Sequence, residues 1–69
     1  MTEIGKRIRD LYEGKNMTQE QVARDVLGVT PAALSRAMRG RMGLPVSWLI
    51  ALSDYFGCSI DQIVKGDTQ

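Results

Sequence analysis

A chain of 69 residues with 43% apolar side chains, two prolines and one cysteine is long enough for one core and too short for two. Such a composition excludes a disordered segment, and a lone cysteine excludes an internal disulfide, so packing alone must hold the fold, as suits a reducing cytoplasm. Net charge is only +1, the opening MTEIGKRIRDLYE has no apolar stretch of the secretory kind, and the longest apolar run, Trp48 to Leu52, is far short of a membrane span.

Thr2 is an N-cap residue for a first helix running to Glu13 or Gly14. Ile4, Ile8 and Leu11 fall at i, i+4 and i+7 in it, with Tyr12 beside them, while Lys6, Arg7, Arg9, Asp10 and Glu13 take the remaining surface. Gly14-Lys15-Asn16 breaks this helix, and Met17 stands before Thr18 as a hydrophobic staple for Val22. Thr18, with Gln21 three residues on, reads as a capping box, and Val22, Ala23 and Val26 share one face of the helix that follows. Gly28 and Val29 form a tight break before Thr30, a second N-cap. Pro31 fits the first helical position, where the N–H it lacks is not needed. Leu34, Ala37 and Met38 give the third helix an apolar side, and Gly40 stops it. Two helices joined so closely must cross steeply, which leaves Ala32, Ser35, Arg36 and Arg39 facing water.

Arg41 to Leu44 reads as a loop, and Pro45 fits the first turn of a fourth helix ending near Phe56 at Gly57. Ser59 to Gln62 repeats the capping box and opens a short fifth helix, with Ile63 and Val64 inward and Gly66 as its stop. No run alternates with the period of a strand. The expected architecture is therefore all-α: five short helices in one domain, residues 1–69, around Ile4, Ile8, Leu11, Val22, Ala23, Val26, Val29, Leu34, Ala37, Val46, Leu49, Leu52, Phe56, Ile60 and Ile63. On the fourth helix, a rotation of about 100° per residue puts Val46, Leu49, Ser53 and Phe56 on the core side and Leu52 at its edge. Trp48, Ala51 and Tyr55 then form a flank that either caps the rim of the core or meets a partner, and a second copy of the chain is the partner expected.

The charge is unevenly spread. Residues 1–16 carry Lys6, Arg7, Arg9 and Lys15 against Glu3, Asp10 and Glu13, and residues 17–29 carry Arg24 against Glu20 and Asp25. Residues 44–69 carry Lys65 against Asp54, Asp61 and Asp67. Residues 30–43 hold Arg36, Arg39 and Arg41 with no acid at all. A local basic patch on a nearly neutral chain is either a solvated face or the footprint of a nucleic-acid contact. With no histidine and a single cysteine there is no metal set, and no pair of carboxylates shares an apolar pocket pattern, so neither an enzyme nor a cofactor is expected. The arginines have no aromatic companions for stacking bases, which argues against RNA.

Three stretches, IGKRIRDLYEGKNMTQEQVA, GVTPAALSRAMRG and LPVSWLIALSDYFGCSIDQIV, together resemble the phage-repressor and Cro-like helix-turn-helix domains of the Xre family over nearly the whole chain. The resemblance implies a lambda-repressor-like helical bundle with its helix-turn-helix at residues 18–40. It implies a small transcription regulator, a repressor, that binds operator DNA as a homodimer with its third helix in the major groove, without membrane or small-molecule ligand. It also implies that Gln19 contacts a phosphate, that Thr30 contacts backbone, that Pro31, Ala32 and Arg36 face base edges, and that the Arg39 to Arg41 region meets flanking phosphates. A protein-interaction module, such as an antitoxin or anti-repressor, is the alternative that shares this fold.

Two departures stand out. Most members have four steps between the alanine of the second helix and the turn glycine, whereas Ala23 to Gly28 is five steps, as if Leu27 were extra. The helix must be one residue longer there or carry a bulge. Many members also pair an arginine with a glutamate where this chain has Tyr12 and Met38, so these two are expected to pack on each other. On the contact face, Arg36 is the best reader of bases, since a guanidinium can bond guanine O6 and N7 together. Ala32 offers a methyl group for thymine, Ser35 one hydroxyl of weak specificity, and Arg39 and Arg41 suit phosphates, which position a domain without reading sequence.

Overall fold

The computed structural model describes residues 2–66, and Asp67, counted in the charge above, lies outside the described residues. The chain forms α1 (Glu3–Glu13), α2, α3 (Pro31–Met38), α4 (Val46–Phe56) and α5 (Ile60–Val64), with no strand among the described residues. Helix α2 starts as one α-helical turn, Gln19–Gln21, and runs straight on into a π-helical segment, Val22–Leu27. Four of the five starts, those of α1, α2, α3 and α5, are set by a side chain that occupies orphan N–H groups, while α4 starts without a side-chain cap. Thr2 accepts from Gly5, Thr30 accepts from Ala33, and complete capping boxes link Thr18 with Gln21 and Ser59 with Gln62. The glycine stops also appear where the sequence puts them: Gly28, Gly40, Gly57 and Gly66 all adopt positive φ.

Four of the helices and the π segment meet in one buried cluster: Ile8 and Tyr12 from α1, Val22 and Ala23 from α2, Leu34 and Met38 from α3, Leu52 from α4 and Ile63 from α5. Tyr12 and Met38 thus share the core. Ile4, Leu11, Met17, Val26, Val29, Leu49 and Phe56 pack around them half-buried. Ala37 is buried and Ile60 is half-buried. Apart from the Tyr12 phenol, no charged or polar side chain among the described residues is buried.

Three expectations need correction. Val46 is 67% exposed and does not belong to the core, whereas Leu52, expected at the edge, is fully buried. The stripe that α4 turns inward is Trp48, Leu52 and Phe56, at i, i+4 and i+8, with Leu49 beside it. Helix α4 carries apolar residues on almost every side, so periodicity cannot phase it, and the larger area of Trp48 against Val46 decides the rotation. Val64 is exposed as well, because a five-residue helix presents little more than one turn to the core and Ile63 takes it. Pro45 sits outside α4 as its N-cap, with φ −60° and ψ 147°, and not in its first turn.

Two long-range ties close the bundle. The N–H and the hydroxyl of Thr2 both donate to the Met38 carbonyl, at 3.2 and 3.1 Å, pinning the C-terminal end of α3 to the start of α1. Arg7 donates to the carbonyls of Ile63 and Val64 at the end of α5, at 3.2 and 2.8 Å.

Candidate nucleic-acid interface

Helix α3 is eight residues long and buries one side only. Leu34, Ala37 and Met38 point into the core, which at about 100° per residue leaves Pro31, Ala32, Ser35, Arg36 and Arg39 within one outward arc. Ala32, Arg36 and Arg39 are exposed, and Pro31 and Ser35 are half-buried at the margins. Thr30 is exposed at the N-cap, its hydroxyl engaged with the Ala33 N–H at 3.2 Å. Arg39 is the C-cap residue, and the chain then turns through Gly40 with φ +81°, so that the Arg41 N–H reaches back to the Arg36 carbonyl. Arg41 is exposed just beyond. Gln19 stands apart from this arc, half-buried as the first residue of α2, which packs beside α3.

Apart from Arg9, which is half-buried on α1 and also outside any ion pair among the described residues, the arginines divide into two kinds. Arg7 pairs with Glu3 at 3.6 Å and caps α5, and Arg24 pairs with Glu20 at 3.3 Å. Arg36, Arg39 and Arg41 form no ion pair with any carboxylate among the described residues. Their charge is left uncompensated at one end of a narrow helical face that otherwise presents a proline, a methyl group and a hydroxyl. A face of this kind admits close approach of a polyanion, and its guanidinium groups supply donors without acceptors. Among the described residues no three His, Cys, Asp or Glu side chains gather as metal ligands.

The flank expected on α4 is split. Trp48 lies half-buried against the core, Ala51 is half-buried, and Tyr55 is 50% exposed with its ring edge-on to Phe56 at 5.1 Å. Ile50, which the sequence reading passed over, is 48% exposed on the other side. The π segment before α3 was signalled in the sequence only by the five steps from Ala23 to Gly28.

No helix among the described residues is long and apolar enough to cross a membrane. Comparison with known proteins agrees with the geometry. The chain is 32% identical over 65 residues to the HTH-type transcriptional activator BcrR of Enterococcus faecalis; the match takes in 94% of the chain but 31% of that relative's length. Its fold matches the P22 c2 repressor, solved in complex with a synthetic operator, at a TM-score of 0.78 and 30% identity, over 97% of this chain and 100% of that one. The sequence profile of the helix-turn-helix family HTH_3 matches residues 8–63. The chain therefore belongs to the helix-turn-helix family of DNA-binding transcription regulators, as a domain of the phage-repressor and Cro-like kind.

Proposed function

We propose that this chain is a sequence-specific binder of duplex DNA that enters the major groove with α3 and acts as a transcriptional repressor in the cytoplasm. The observation that carries the reading is the acid-free face of α3, with Arg36, Arg39 and Arg41 exposed and unpaired. Arg36 reads bases, and Pro31 and Ala32 face base edges beside it, with the Ser35 hydroxyl a contact of weak specificity. Thr30 and Gln19 meet the phosphates at the N-terminal side, and Arg39 and Arg41 those at the other. The operator held by the P22 c2 repressor supports this choice of ligand.

A homodimer fits paired half-sites about 34–36 Å apart. Tyr55, the exposed member of the α4 flank, is its anchor, with Ala51 and the rim of Trp48 beside it. Selection from a randomised duplex pool tests the function directly. A two-fold symmetric consensus is expected, and a pool that stays random after several rounds contradicts it. Sedimentation of Tyr55→Glu tests the dimer surface, since Tyr55 can change without opening the core; a variant that dimerises like the parent rules that surface out.

A further inference from the structure

We infer that the extra residue between Ala23 and Gly28 sets DNA specificity, because the π turn it forces fixes the pose of the base-reading end of α3. The inference rests on the proposal that α3 reads DNA. It starts from two glycine stops in the same chain. Gly57 ends α4 with φ 68° and ψ 32°, and its N–H and that of Cys58 both reach the Ser53 carbonyl, four and five residues back. Gly28 ends α2 in the same conformation, φ 67° and ψ 32°. Yet its N–H and that of Val29 both reach the Ala23 carbonyl, five and six residues back. The stop is identical and the loop before it is one residue wider.

That residue is kept because it is apolar and useful to the core: Val26 and Leu27, adjacent in sequence, both pack half-buried against the cluster. A π turn is wider than an α turn, so it takes in one more residue before the same glycine stop and leaves both neighbours against the core. The consequence lies downstream. Only Gly28, Val29 and Thr30 separate α2 from α3, so the N-terminal end of α3 follows wherever α2 stops. Its C-terminal end is held separately, by the two Thr2 bonds to the Met38 carbonyl. Narrowing the π turn therefore pivots α3 about Met38. Pro31 and Ala32 swing furthest, Arg36 less, and Arg39 and Arg41 hardly move. Base contacts change while phosphate contacts at the far end persist.

The test uses two deletions of the full chain, one removing Leu27 and one removing Val26, which leaves leucine before the glycine. Leu27→Ala, which keeps the residue count, is the control. Each is assayed by circular dichroism, by residual dipolar couplings for the axis of α3, and by binding to the duplex selected with the parent and to random duplex. At least one deletion is expected to fold, with α3 tilted, and to lose preference for the parental site by about tenfold or more, the size of one or two good base contacts. Its affinity for random duplex is expected to hold, and Leu27→Ala to keep the parental preference. A folded deletion with an unmoved α3 axis or an unaltered preference overturns the inference while leaving DNA binding intact. So does unfolding of both deletions, which would make the residue part of the core alone. A parent that selects no site contradicts the proposed function and the inference's claim on specificity, and the couplings still report whether α3 pivots.

Discussion

The Arg7 guanidinium donates to the Val64 carbonyl across 57 positions of sequence, at 2.8 Å, and to Ile63 next to it. These carbonyls are among the orphans that any helix leaves at its C-terminus, where a cation also meets the favourable end of the helix dipole. A five-residue helix cannot stand alone, so this tie holds α5 in place. Arg7→Ala is expected to cost about 1.5–3 kcal/mol, as for hydrogen bonds from a charged donor. Arg7→Lys should recover part of it, and urea denaturation of the three proteins checks the order.

The rotation of α4 makes a paired prediction. Leu52→Ala empties a fully buried site and should cost about 2–5 kcal/mol. Val46→Ala, at an exposed site, should stay within about 0.5 kcal/mol of the parent. Thermal unfolding of both variants decides; a large loss at Val46 would return that residue to the core.

What the sequence made legible was local. Caps and stops at Thr2, Thr18, Thr30, Ser59, Gly28, Gly40, Gly57 and Gly66 depend on one residue and its near neighbours, and all of them form. The outward arc of α3 was legible for the same reason, since Leu34, Ala37 and Met38 leave only one way to turn it. The face of α4 was not, because its apolar residues surround the helix and tertiary packing chooses among them. Nor were the ties from Arg7 to α5 and from Thr2 to Met38, which depend on where distant helix ends arrive. An arginine among Lys6, Arg9 and Asp10 carries no sign that it caps a helix 56 residues away.

Tyr12 links the core to pH. Burial pushes its phenol above the ordinary value of 10.0, Glu13 adds to the shift, and Arg9 opposes it. The folded state thus holds the proton more tightly than the unfolded chain does. Below about pH 10 the two states are equally protonated at this group and stability does not depend on it. As pH rises beyond that, the unfolded chain ionises first and stability falls. Tyr12→Phe should remove part of the alkaline decline while changing stability at pH 7 by less than about 1 kcal/mol, measured by urea titrations from pH 7 to 11.

The junction of Thr2 and Gly40 predicts a coupling. Gly40 has φ +81°, and a Cβ there would come within 2.8 Å of Thr2 Cγ2. Gly40→Ala should cost about 1–2 kcal/mol for the left-handed backbone, with the contact adding to it. In a Thr2→Ser background, which keeps the hydroxyl bonds and removes the methyl group, the second part should vanish. A double-mutant cycle reads the difference, and strict additivity would show that the methyl group yields freely.

The central claim is that the unpaired arginines of α3 and its following loop face duplex DNA, Arg39 and Arg41 meeting its phosphates, and the salt dependence of binding tests it most directly. Affinity for a random duplex, measured from low to physiological salt, should fall linearly on logarithmic axes with a slope of about −0.9 per phosphate neutralised. Replacing Arg39 and Arg41 by alanine together should flatten that slope by nearly two. A parent protein that binds no duplex in dilute buffer, or a double variant with an unchanged slope, would contradict the account.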